Sequence, residues 1–320
     1  MKYFKRAPMA VVGIGGVFPR ARDTHEFWAN IVSGTSAVRS LPKDRWDRSF
    51  LTVDGNQGVV YTDRGAFIDE GLAVESTNFG ITPVAAENME PDQLLSLAVA
   101  DMTLSDARQR CKIPQSNRIA VILGKGGYIA PGQIRSANEL RESRQLACLI
   151  SQIFPSMSST SVSELTQLFA DQVGGIDSDM AVGMISNMAA SRIANRLDLR
   201  GPAYLVDGAC ASSLVALDHA MSELALGRVD MVLVGGVHHC HDVTLWRLFS
   251  QLGALSRSGN VRPFSANADG TLLGEGTGMV AVKRLEDAQQ DGDNIYAAIT
   301  GVGISSDGRG SSLVSPSHSA

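Results

Sequence analysis

Residues 184–237 constrain the fold most, because they alternate helix-patterned and strand-patterned segments within a short span. Ser186–Leu197 has a helical pattern, Ala203–Val206 reads as a strand, Ala211–Leu226 as a helix and Met231–Val237 (MVLVGGV) as a strand. Such β-α-β alternation predicts a parallel sheet covered by helices on both faces, a layered α/β fold. Further buried strands are expected at Met9–Ile14, ended by Gly15-Gly16, and at Arg118–Leu123, Val280–Lys283 and Ile295–Gly301. Helices are expected at Thr24–Ser33, capped by Thr24 with Phe27, Trp28 and Ile31 along one face, at Pro91–Arg108, and near Arg284–Gln290. Residues 41–78 read as loops with short strands. Residues 128–180 depart from the alternation: two helices, Ala137–Phe154 and Ser161–Val173, flank a serine-rich connector. That excursion is a lid, a partner surface, a dimer element or simply a packed surface hairpin.

Composition agrees with an enzyme scaffold. Of 320 residues 44% are apolar, enough for a large core and against wholesale disorder. The net charge is −5 and no block of Lys or Arg occurs, which argues against nucleic-acid binding. Cys111, Cys148, Cys210 and Cys240 are scattered, so neither a disulfide framework nor a zinc ribbon is expected. The chain has no N-x-[ST] acceptor, and Ala7–Phe18 contains Pro8 and glycines with no small-residue cleavage site after it. No apolar run is long enough to span a membrane. These features point to the cytoplasm.

The richest segment chemically is Tyr204-Leu-Val-Asp-Gly-Ala-Cys210-Ala-Ser-Ser-Leu. A strand ends at Asp207, the chain turns at Gly208-Ala209, and a cysteine arrives at the first turn of a helix expected to bury Leu214, Leu217, Met221 and Leu224. Unpaired amides and the positive end of the helix dipole favour a thiolate there, and the same donors can hold an oxyanion on an attached acyl group. A buried, inert thiol is the alternative.

This segment resembles the active site of β-ketoacyl synthases, the condensing enzymes of fatty-acid and polyketide synthesis. The resemblance continues in Ala10–Pro19, in Phe79-Gly-Ile-Thr-Pro83 with Met89-Glu-Pro-Asp-Gln93, in Ile193–Pro202, in Asp230–Val237, in Phe264–Gly278 and in Val282-Lys-Arg-Leu285. It implies an α/β thiolase-like fold, layered α-β-α-β-α, with two similar halves. Residues 1–265 would form the first half, with the 128–180 insertion, and 266–320 the start of an incomplete second. By the same resemblance Cys210 accepts an acyl chain from the phosphopantetheine arm of an acyl carrier protein. Decarboxylation of a malonyl-type thioester then drives a Claisen condensation. No other cofactor and no metal are expected. Other synthase domains are expected as partners, in a homodimer, as in iterative polyketide or polyunsaturated-fatty-acid synthases.

The departures are specific. The two downstream histidines of the family, in H-G-T-G-T and G-H segments, have no counterpart, since His318 sits in Ser315–Ala320, which matches neither. The chain thus resembles a synthase that stops early in its second half, and by itself it is expected not to condense. Ala211 and Gly208 replace the family's usual Ser and Thr, while cysteine rather than glutamine at 210 argues against the non-condensing relatives. A scaffold domain that binds acyl groups or dimerises without condensing, and a thiolase-type acyl-CoA transfer, are the rival readings. His238-His239-Cys240-His241 offers too few ligands on one side for a closed zinc site, so packing or pocket lining is expected. Gly13-x-Gly15-Gly16-x-Phe18 and Gly124-Lys-Gly-Gly fail as nucleotide-binding motifs. By the resemblance Glu275 in Gly274-Glu-Gly276 pairs with a downstream lysine that is missing here, so it is expected to act only as structural support, a solvated turn carboxylate being the alternative.

Overall fold

A computed structural model describes residues 7–43, 45–52, 59–68, 74–127, 131–174, 178–239 and 242–309. The strands are β1 (Met9–Val17), β2 (Val38–Ser40), β3 (Arg64–Ala66), β4 (Ile119–Gly124), β5 (Ala203–Val206), β6 (Met231–His238), β7 (Leu273–Gly274), β8 (Gly276–Arg284) and β9 (Ala297–Ile299). The helices of the first half of the chain are α1 (Thr24–Ser33), α2 (Pro83–Glu87), α3 (Pro91–Arg110), α4 (Pro131–Ala137), α5 (Ser143–Ile153) and α6 (Ser159–Val173). After them come α7 (Ser178–Gly183), α8 (Met188–Arg196), α9 (Ser212–Ala225), α10 (Val243–Gln251) and α11 (Leu285–Asp291).

A six-stranded sheet in the order β5-β4-β6-β8-β1-β9 forms the centre. Only β5, β4 and β6 are parallel; β8 runs antiparallel to both β6 and β1, and β9 is antiparallel to β1. The all-parallel expectation therefore holds for the segment that carries the alternation and fails outside it. Apolar runs buried on both faces do not distinguish strand direction, and no helical crossover joins β7 to β8. Residues alternate between the two faces. Val121, Leu123, Ala10 and Val12 pack with α3 and α8, while Ala120, Ile122, Met9 and Val232 pack with α9. A second sheet, β2-β3-β7, gathers Trp46, Phe67 and Trp246, whose rings lie 5.6 and 5.8 Å apart.

Several local expectations need correction. Gly15-Gly16 does not end β1; the strand continues to Val17, and a Cβ on Gly15 would sit 2.3 Å from Thr103 Oγ1, so glycine lets α3 close onto the sheet. Asp23, not Thr24, caps α1: its carboxylate accepts the Glu26 amide at 2.8 Å. The apolar face of α1 is not buried, with Trp28 63% and Ile31 52% exposed. On α9 the buried stripe is Ala216, Ala220, Met221 and Leu224, while Leu214 is exposed. The excursion is a helical hairpin as expected. Its first arm begins at α4, widens into a π turn at Asn138–Glu142 and continues as α5 against α6; Ser158 Oγ caps the second arm by accepting the Ser161 amide. Leu149, Ile153 and Leu168 are exposed on this hairpin. β8, which follows residue 265, lies between β6 and β1 in the middle of the main sheet.

Candidate active site

β4, β5 and β6 end together at Gly124, Val206 and His238, and the loops leaving those carboxyl ends build the site. In open α/β sheets this is the edge where ligands bind. From β5 the chain enters an elbow. Asp207 Oδ1 accepts the Ala209 amide at 2.8 Å and Oδ2 accepts the Gly127 amide at 2.8 Å, so one carboxylate ties the elbow to the loop after β4. Ala209 takes a left-handed conformation, φ 51°, which costs an alanine about 1 kcal/mol or more. Ser212 locks the turn: its Oγ accepts the Gly208 amide at 3.0 Å and donates to the Ala209 carbonyl at 2.6 Å. Gly124 permits the approach of β4, since a Cβ there would lie 2.4 Å from the Ser212 carbonyl carbon.

The elbow places Cys210 in a tight turn, Ala209–Ala211, immediately before α9, with its thiol exposed. The thiol lines a cavity of about 610 Å³ bounded also by Phe18, Lys125, Ser213, His238, Phe249 and Glu275. Burial therefore does not describe position 210. Cys111 illustrates that alternative: half-buried, its thiol is pushed up to about 11 by burial and by the nearby Asp293 carboxylate.

His238 lines the cavity, and burial holds its imidazole below the usual range, which keeps it neutral at neutral pH. Cys240, His241 and His318 fall outside the described residues. Glu275 is no solvated turn carboxylate. It is buried, accepts the Ile68 amide at 2.8 Å and pairs with Arg45 at 3.1 Å. Its cationic partner lies 230 residues upstream, where no local pattern could mark it. Lys125, which the sequence offers only within a failed nucleotide-binding motif, borders the cavity, and its ammonium pairs with the buried Asp92 of α3. The orienting role of Asp207 had one legible signal, its place as the last residue before the turn.

The fold and the site define a class: a layered α/β protein that holds a cysteine on a strained strand-to-helix elbow at the mouth of a cavity. The comparisons narrow that class. Residues 6–288 match the model of the β-ketoacyl synthase N-terminal domain, and the chain belongs to that family. Among similar curated proteins, polyketide synthase PksN of Bacillus subtilis is 31% identical over 99% of this chain. A phenolphthiocerol/phthiocerol polyketide synthase of Mycobacterium tuberculosis is 33% identical over 98% of it. The chain spans only 5% and 18% of those two proteins. Among solved structures, the ketosynthase from module 6 of the bacillaene synthase of Bacillus subtilis superposes with a TM-score of 0.69 at 29% identity, over 97% of this chain and 46% of that one. An oxazolomycin ketosynthase domain of Streptomyces albus gives 0.70 at 25% identity, over 91% and 46%. The thiolase-like fold class expected from the sequence is thereby established.

Proposed function

We propose that this chain is the ketosynthase portion of a polyketide synthase, with Cys210 as its acyl-accepting nucleophile. The observation that carries the reading is the elbow: an exposed thiol at the amino end of α9, held by Asp207 and Ser212 beside a cavity of about 610 Å³. The Cys210 sulfur attacks the carbonyl of an acyl thioester, a new C–S bond forms, and the carrier's sulfur departs and takes up the proton. Charge that develops on the carbonyl oxygen falls near the amino end of α9, where helix amides and dipole favour it. Covalent capture divides one difficult step into two easier ones.

In this reading the donor is a phosphopantetheine arm of an acyl carrier protein, and the second step condenses the bound acyl group with a malonyl-type thioester as it loses carbon dioxide. Other synthase domains, a homodimer and the cytoplasm are the expected setting. Support for the dimer comes from β5, a sheet-edge strand that is only half-buried. No described helix is long and apolar enough to cross a membrane. A second, similar half would begin after residue 288, where the family match stops. Incubation with an acyl carrier thioester followed by intact-mass measurement tests the proposal. The expected result is one acyl adduct that maps to Cys210 and disappears in Cys210→Ala; an adduct that survives the substitution overturns it.

A further inference from the structure

Both roots of the helical excursion meet at the start of α3. Glu90, the residue before that helix, is 3% exposed and makes no capping bond to the helix's own amides. Its Oε1 instead accepts the Gly132 amide in the first turn of α4, at 2.7 Å. The end of α7 lies against the same side chain, since a Cβ on Gly183 would sit 3.2 Å from Glu90 Cγ. Gln93 is buried beside it; its Nε2 donates to the Gly183 carbonyl at 2.9 Å and its Oε1 accepts from Arg192 of α8 at 3.1 Å. The same turn of α3 also holds the wall of the Cys210 cavity. Gly124, Lys125 and Gly126 line that cavity, the Lys125 ammonium pairs with Asp92, and the Gly127 amide is fixed by Asp207. From Gly127 the chain goes on to α4 at Pro131. Cavity wall and excursion thus follow one another along the chain, and two neighbouring carboxyls, Asp92 and Glu90, tie one each to α3.

We propose that Glu90 is a positioning residue whose neutral carboxyl holds the excursion against the cavity wall, and that loss of its proton releases both. The place is a poor one for a second anion. Asp92 Oδ1 is buried and finds no hydrogen-bond partner among the described residues, and the buried Met180 packs against Gly132. Like charges in a buried site resist joint ionisation. Burial pushes the Glu90 carboxyl above the ordinary carboxylate range and Asp92 pushes the same way, while the Gly132 amide, Lys125 and Arg135 oppose them. Those charged groups act on it from α3, from the loop after β4 and from α4; Arg192 of α8 bonds Gln93. A carboxyl that is more readily protonated in the tied state than in the open one takes up its proton on closing. The tie is therefore complete below the ordinary carboxylate pKa and is lost as the pH rises through the raised one. This inference concerns the structure around the thiol and stands whether or not Cys210 transfers acyl groups.

Two measurements on the full chain test this across about pH 5–8, where folded proteins are generally most stable. The first is hydrogen exchange of the α4 amides, expressed as protection so that the intrinsic exchange rate divides out. In wild type the protection should fall with rising pH by up to about tenfold per pH unit, the limit for one linked proton. Glu90→Gln keeps a neutral acceptor for the Gly132 amide and should hold its protection constant, whereas Glu90→Ala should lose protection at every pH. Asp92→Asn removes the neighbouring negative charge and should move the wild-type transition to lower pH, so the result does not hang on the folding of one variant. The second is the ratio of Cys210 labelling by a bulky pyrene maleimide to labelling by N-ethylmaleimide, in which the ionisation of the thiol cancels. Cys148, exposed on α5, supplies the ratio of an open thiol. The Cys210 ratio should rise with pH in wild type, in step with the loss of protection, and stay flat in Glu90→Gln. A glutamate that only packs would leave both readouts independent of pH. That result overturns the proposal, as does an equal pH response in wild type and Glu90→Gln, or a flat wild-type ratio while the protection falls.

Discussion

The two ends of the six-stranded sheet are built on opposite principles. At the amino ends of β4 and β6 charges are tied into a network. Arg118 donates to both Asp230 oxygens and to the Gly227 and Arg228 carbonyls, and Arg284 bonds Asp230, Asp287 and the carbonyls of Leu224 and Val229. Beside them the buried Lys283 binds Asp291 at 2.8 Å and Asp293 at 2.5 Å, joining β8 to the turn after α11. At the carboxyl ends the chain instead holds a left-handed alanine, an exposed thiol and an open cavity. The contrast shows a division of labour. The closed end makes the sheet rigid, and that rigidity supports strain and unmatched polar groups at the open end.

The comparison can be broken or sharpened by substitution. Cys210→Ala should abolish the acyl adduct altogether and leave stability within about 0.5 kcal/mol, because an exposed side chain is removed; mass measurement and a denaturant melt check both halves. Lys283→Met should cost about 3–5 kcal/mol, since it removes the cation from the buried Asp293, while Asp291 keeps Lys112 at 3.2 Å. Cys210 alkylation should be unaffected in the fraction that remains folded, and a parallel loss of thiol reactivity would deny the separation of the two ends.

Asp230→Asn should cost about 1–3 kcal/mol, less than Lys283→Met because the carboxylate is partly exposed and screened. Hydrogen bonds from Arg118 and Arg284 hold the Asp230 carboxyl down to about 2. Its contribution is therefore complete above the ordinary carboxylate range near pH 4 and is lost as the pH falls towards 2. Melts between those values should fall more steeply for wild type than for Asp230→Asn. Smallest of all, Ala209→Gly should leave stability within about 1 kcal/mol of wild type, because relief of the left-handed strain offsets the greater freedom of the unfolded chain. Ala209→Val, checked by the same melt, should be clearly destabilising.

Much of the elbow was legible because its signals are local. The apolar run 203–206, the break at Gly208 and the small residues after Cys210 specify strand, turn and helix within about ten residues, and β5 appears where the pattern put it. Periodicity was a poorer guide at the surface. It placed Leu214 on the buried stripe of α9, although Leu214 is exposed and Ser212, at the start of that helix, is the buried residue against Gly124. The same limit applies to α1, whose apolar face has the pattern of a buried helix and lies exposed.

By itself the sequence determined the kind of protein: alternating strands and helices, a cysteine delivered to a helix start, and enough ordered motifs to resemble one enzyme family. The tertiary structure decided what surrounds the cysteine. It set β8 antiparallel between β1 and β6, brought Arg45 to Glu275 and Asp92 to Lys125, and put Glu275 and residue 125 on the wall of one cavity. The reason is physical. Backbone propensity and burial period act over a few residues and leave a record in the pattern, whereas a buried charge is matched by whichever group the completed packing brings within reach.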